Sequence, residues 1–371
     1  MSSQASPPAF LLRAVEDGTV PGAVLAVGHD PEPVAIGASA VDGPPMRADA
    51  IVRIQSMTKL VTTVAALRLI EQGALALDDP VATWLLEVDT PRVLTPPDAP
   101  LTDTVPAERP ITLRHLLTNM SGYGMILADS PLQHAMAANE TEAGLLPPSL
   151  GADDWLTALS SLPLVGQPGT VWRYHHSFGL LGILLSRLTG MSAGEHLERT
   201  LLSPLGMVDT GYFVPAAARE RLPALYTESD GQLVELEGLG GGPHIGPPPQ
   251  DMSHGELLST APDYLRFLRA LRDGELLGAE HLAMLRSDQV PASAKQPGSF
   301  FPGFWARTGW GFVVSVVADG PHRGRWGWSG GAGTDFFVDP DGTLGLLLTQ
   351  VELGPRVMPL LEAFGELSPL A

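Results

Sequence analysis

QSMTKLVTTVAALRLIEQG, residues 55–73, carries apolar side chains at Leu60, Val61, Val64, Leu67 and Ile70, the spacing of one helical face. Gln72-Gly73 supplies a C-cap, and Arg68 falls at the edge of the stripe, where its head reaches water. The pattern predicts a largely buried helix from Ser56 to Glu71. Ser56 and Lys59 then share a face one turn apart, within reach of each other. The helix N-terminus offers free N–H groups and partial positive charge to an oxyanion forming there. A lysine desolvated among apolar neighbours loses basicity and becomes a base for a serine hydroxyl. Of the 22 basic residues only Lys59 and Lys295 are lysines, so this placement is informative. The plain alternative is an N-cap serine followed by a surface lysine.

Upstream, Phe10 to Glu16 is a short amphipathic helix, followed by two apolar β runs, AVLAVGHD and PVAIGASAVD, across a turn-rich segment. Downstream, the pattern turns helical at Leu113 to Thr118, Asp153 to Leu162, Phe178 to Leu188 and Ala193 to Leu202, with Pro-rich connectors and few strands. The final third returns to β character in WGFVVSVVAD and GTDFFVDPDGTLGLLLTQV. There Asp341-Gly342 marks a hairpin turn, and Val357 to Phe364 closes the chain as a helix. Strands at both ends around a helical middle predict an α+β fold, one antiparallel sheet flanked by helices plus an all-helical domain. The expected division is 1–75 with 205–371 as a discontinuous sheet domain and 76–204 as the helical insert. Three long loops, Arg92 to Pro110, Gly238 to Met252 and Pro291 to Phe304, are candidate walls of a site or plain surface connections.

Two further motifs carry chemistry. Tyr174, after a Pro-Gly turn and before a helical run, is placed to present a phenol to a cleft; beside a lysine ammonium it could lose its proton and serve as a second base. A satisfied core tyrosine is the bland alternative. GWSGGAGTDFFVDP sets a Gly-rich bend on a strand, where a backbone N–H can approach a substrate carbonyl.

Composition excludes several classes. The chain has 371 residues and 44% hydrophobic content, enough for about two core-forming units. A net charge of -19 with no basic stripe disfavours nucleic acid and anionic membranes as partners. Zero cysteines remove disulfides, thiol nucleophiles and cysteine-bearing metal sites. The ten histidines show no metal-ligand spacing, so no metal or cofactor is expected. No apolar run spans a bilayer and the N-terminus has no basic lead, which predicts a cytoplasmic protein acting on a small molecule.

QSMTKL, ITLRHLLTNMSGYG, WRYHHSFGLLGILLSRLTG, LLSPLGMVDTGY, LLSTAPDYLRFL and GWSGGAGTDFFVDP together resemble the serine β-lactamase and penicillin-binding-protein superfamily, with class C β-lactamases and family VIII carboxylesterases nearest. The resemblance implies an α/β domain and an all-helical domain with the active site in the groove between them. It makes Ser56 the acylated nucleophile, Lys59 its basic partner and Tyr174 a general acid/base. The third motif reads Trp328-Ser329-Gly330, expected with Tyr123 and His176 to contact the substrate, and Gly331 falls where the second oxyanion N–H is expected beside that of Ser56. Tyr123 matches a cleft-lining region. Two departures stand out: His176 where β-lactamases carry asparagine, and Trp328 where they carry a cation. An indole offers no charge to hold a carboxylate, so neutral esters gain ground over β-lactams and peptide termini. His176 is either a proton shuttle or a helix-start residue.

Two other serines sit in G-x-S-x-G patterns. Ser329 has no later histidine to complete an α/β-hydrolase triad, and Ser192 lies between helical runs where an elbow needs a strand. The expected activity is hydrolysis of small esters. A class C-like β-lactamase or D-amino-acid peptidase, an acyltransferase, and a non-catalytic sensor are the alternatives, and the oligomeric state is left open.

Overall fold

A computed structural model describes residues 8–248 and 252–367. Its centre is a seven-stranded antiparallel sheet in the order Val34–Gly37, Gly22–Gly28, Leu344–Leu348, Thr334–Val338, Trp326–Gly330, Ser315–Val317, Thr308–Trp310. The first strands therefore pair with the last, with Val24 opposite Leu348 and Gly28 opposite Leu344. Alternation along the strands divides the apolar side chains between two cores. Leu25 and Leu347 meet Leu11, Leu360, Leu361 and Phe364 from the helices Ala9–Glu16 and Met358–Gly365. Val24, Leu346 and Leu348 face the larger core, which includes Leu60, Val64, Tyr264 and Leu268. The expected turn at Asp341-Gly342 joins Thr334–Val338 to Leu344–Leu348, with Val338 opposite Leu344 and Gly342 at φ 89°.

The helix read from Ser56 begins as a 3₁₀ turn, Gln55–Met57, and continues as an α-helix, Thr58–Glu71. Every residue from Thr58 to Leu67 is buried, Lys59 included, so the helix runs through the core. The helices of the middle third fall where the periodicity put them: Leu113–Leu117, Ala152–Ser160, His176–Thr189 and Ala193–Leu197, the last continuing as a π turn over Glu198–Leu202. Ser192 caps Ala193–Leu197 in a reciprocal capping box with Glu195, which accounts for the serine in GMSAG.

Several expectations are corrected. The β character of WGFVVSVVAD resolves into two paired strands, Thr308–Trp310 and Ser315–Val317, because Val313 at φ 72° turns the chain between them. Arg92 to Pro110 is not structureless; Arg92–Leu94 and Thr104–Pro106 form a small ladder. The helices Pro131–Ala138, Ala261–Arg272 and Ala279–Leu285 and the hairpin Leu225–Ser229/Gln232–Glu237 are additional. Of the loop Gly238 to Met252, residues 249–251 lie outside the described residues. Among the described residues no helix is long and apolar enough to cross a membrane.

Candidate active site

The chain reaches Ser56 through the short strand Val52–Arg53, which pairs with Leu258–Ser259. Arg53 anchors that approach: its buried guanidinium donates to Glu237 at 2.5 and 2.8 Å, to the Pro223 carbonyl and to Gln350. Gln55 then adopts φ 50°, a left-handed conformation costly for a non-glycine residue, and swings the chain into the 3₁₀ turn. The Gln55 amide donates to the Leu145 carbonyl at 2.9 Å, tying the segment after Thr141 to the residue preceding the serine.

One turn on, Lys59 Nζ lies 2.9 Å from Ser56 Oγ and also donates to the His254 carbonyl. The amine is fully buried. Desolvation draws its pKa down to about 7, against the opposing pull of the Glu256 carboxylate. A large fraction is therefore unprotonated near neutrality, with a lone pair free for the serine proton.

Tyr174 stands across from this pair, its ring 5.0 Å from Lys59 Nζ. Burial pushes the phenol above its ordinary pKa, opposed by hydrogen bonds with Ser56 and Trp328. Burial thus works against the ready ionisation expected of a second base. The Trp328 indole N–H donates to Tyr174 Oη at 2.5 Å. The indole thus occupies the cation's place in the third motif and acts on the tyrosine directly.

The strand Trp326–Gly330 ends against the serine turn. A Cβ at Gly330 would lie 2.4 Å from the Ile54 carbonyl and 2.3 Å from Thr334 Oγ1, so only glycine permits this approach. Gly331 follows, its carbonyl accepting from the Leu353 N–H at 2.7 Å. Ser56, Lys59, Tyr174, Trp328, Gly330 and Gly331 are thereby brought together.

Of the residues expected at the substrate, Ser329 and His176 are corrected, and Tyr123 is buried. Ser329 neighbours Trp328 on one strand and so turns to the opposite face, where its hydroxyl meets Asp335, whose carboxyl burial pushes up to about 7. His176 is fully buried, its Nε2 2.6 Å from the Thr141 carbonyl and its ring stacked on Trp155; burial lowers its pKa to about 4. It is a neutral strut at the start of its helix. Tyr123 is 3% exposed, packed in the core with a hydroxyl that finds no partner among the described residues.

Other contributors were not foreseen. Gln55 and His175, the latter at φ 90°, hold strained backbones beside Ser56 and Tyr174. Trp172, Phe300, Trp310 and Phe304 surround the Tyr174–Trp328 pair, with Trp310 and Trp328 ring centres 4.6 Å apart. His254 and Glu256 stand behind Lys59. The aromatic residues of PGSFFPGFWARTGW were visible as a cluster near a long loop, whereas nothing in SHGE distinguished it. The arrangement brings a hydroxyl, an amine and a phenol together beside a glycine bend.

The beta-lactamase family profile matches residues 10–357. An uncharacterized protein of Mycobacterium tuberculosis is 37% identical over 322 residues, covering 82% of this chain and 78% of its own. Esterase EstB of Burkholderia gladioli is 32% identical over 332 residues with the same coverage of each chain. Among solved structures, EstCE1, a hydrolase with promiscuous acyltransferase activity, superimposes with a TM-score of 0.79 over 96% of each chain at 23% identity.

Proposed function

The chain belongs to the beta-lactamase family, here a fold of serine hydrolases and acyltransferases, and on that premise we propose that it is a carboxylesterase that hydrolyses short-chain esters through an acyl-enzyme on Ser56. The observation that carries this reading is the Ser56 hydroxyl 2.9 Å from a fully buried amine brought to about neutral pKa. Ser56 Oγ attacks the ester carbonyl carbon while its proton passes to Lys59 Nζ. The Ser56 and Gly331 N–H groups hold the oxyanion. The bond to the alcohol oxygen breaks as Tyr174 gives that oxygen its phenolic proton. The new ammonium, beside the phenolate, stabilises it. Water then attacks the acyl carbon, the phenolate takes its proton, and Ser56 leaves with the proton held by Lys59. Both side chains return to their resting states.

Trp328 supports esters over β-lactams. A carboxylate left without a counterion in a partly desolvated cleft costs at least a few kcal/mol. The esterase name of the Burkholderia gladioli relative points the same way. Parallel steady-state assays on a butyrate ester and a chromogenic cephalosporin test the proposal: the ester should give the larger kcat/KM, and the reverse order would replace an esterase with a β-lactamase. Added alcohol in the ester assay separates hydrolysis from acyl transfer by product ratio.

A further inference from the structure

Lys59 Nζ has two partners, the Ser56 hydroxyl and the His254 carbonyl. A neutral amine has two N–H bonds and one lone pair. A carbonyl that captures one N–H limits the rotation of the amine and leaves one N–H and the lone pair for the two remaining directions, one of which faces Ser56. The base is therefore only as well aimed as that carbonyl. Yet residues 252–257 belong to neither helix nor strand, so no ladder holds the peptide.

Tyr212, Thr62 and Thr58 fix the flanking residues through the Met252 and Ser253 carbonyls and the Leu257 N–H, and the peptide between them is gripped by the side chain of Glu256, itself 2% exposed. Its Oε2 accepts the His254 N–H at 2.7 Å and the Gly255 N–H at 2.8 Å. In a planar trans peptide the C=O points opposite to the N–H. A carboxylate gripping the Gly255 N–H consequently drives the His254 carbonyl the other way, toward Lys59. We propose that Glu256 is a positioning residue for Lys59, acting through the His254–Gly255 peptide and touching no substrate. This rests on the reading of Lys59 as the base that activates Ser56.

The carboxylate also acts by its charge. The titratable groups around Lys59 are Tyr174, His175 and His176 from one segment and His254 and Glu256 from the other. Burial keeps all three histidines below their ordinary pKa and the phenol above its own, so near neutral pH these four are uncharged. Glu256 supplies the charge that opposes desolvation of the lysine.

The test compares the full chain with its Glu256→Gln and Glu256→Ala variants. Mass spectrometry of the wild type after treatment with an active-site-directed phosphonate comes first, and an unlabelled Ser56 there would overturn the serine–lysine reading itself. With Ser56 labelled, kcat and KM on a butyrate ester are followed across pH. Glu256→Gln keeps an oxygen for both amides but removes the charge, so the acid limb of kcat/KM should move to lower pH by about one unit, with the high-pH plateau kept. Glu256→Ala frees the peptide, and kcat should fall about 10²-fold with KM changed far less. An acid limb in Glu256→Gln that coincides with the wild type, or full kcat in Glu256→Ala, would overturn the inference. Should Glu256→Ala fail to fold, the Glu256→Gln profile decides alone.

Discussion

Replacing Trp328 with phenylalanine removes one N–H while leaving a ring in the aromatic cluster, among Tyr174 at 5.2 Å, Trp310 at 4.6 Å and Phe300 at 6.1 Å between ring centres. The lost contact is the 2.5 Å donation from the indole to Tyr174 Oη. In the resting enzyme the acceptor is a neutral phenol, and such a bond contributes about 1 kcal/mol net. As the phenol gives up its proton the acceptor gains charge, and the same bond strengthens to roughly 1.5–3 kcal/mol. Only the part realised in the transition state lowers kcat, so Trp328→Phe should lose the difference, about 0.5–2 kcal/mol of stabilisation, or about 2- to 30-fold in kcat, with a smaller change in KM. The loss also depends on the leaving group. An alkyl alcohol needs the proton from Tyr174, whereas p-nitrophenolate departs without one. Steady-state kinetics on ethyl and p-nitrophenyl butyrate should therefore show the full loss for the first and a smaller loss for the second. Wild-type kcat on ethyl butyrate, or a greater loss on the p-nitrophenyl ester, would refute the assignment of Trp328 as the donor that tunes Tyr174.

Because Lys59 must be unprotonated to act, kcat/KM should fall about tenfold per pH unit below its pKa of about 7; a flat profile down to pH 5 would contradict it. Glu237→Ala leaves the buried Arg53 guanidinium without its carboxylate, and denaturant melts should show a loss of about 3–5 kcal/mol, against under 1 kcal/mol if the pair were dispensable. Gly179→Ala sets a methyl 2.5 Å from a ring carbon of Trp155, the indole stacked on His176 and His254. The expected cost is about 1–3 kcal/mol by the same melts, together with lower kcat; an unchanged protein would show that the histidine stack has slack.

Continuous apolar runs at the two ends of the chain were enough to suggest one sheet, because Ala23 to Ala26 and Leu344 to Leu348 had to bury both faces and Asp341-Gly342 was a turn. The serine and lysine were legible for a similar reason: helical spacing fixes which residues share a face. Tyr174 was legible by position, but its protonation state was not. Burial and the indole donor decide that state, and both come from segments distant in sequence. Val313, which splits the β run WGFVVSVVAD into two strands, is β-branched at positive φ, and no local signal announces such a conformation. Ser329 was misassigned as a contact since its motif names three consecutive residues while a strand shows only alternate ones to either face. Glu256 and His254 work through backbone groups, an amide pair and a carbonyl, which leave no trace in residue type.

The central claim is that one hydroxyl in this chain, that of Ser56, becomes acylated. Mass spectrometry of peptides from protein quenched during ester turnover, or treated with a phosphonate, measures this directly. The adduct should sit on the peptide containing Ser56 and vanish in a folded Ser56→Ala variant, along with turnover. An adduct on Ser192 or Ser329, or turnover that survives the substitution, would contradict the account.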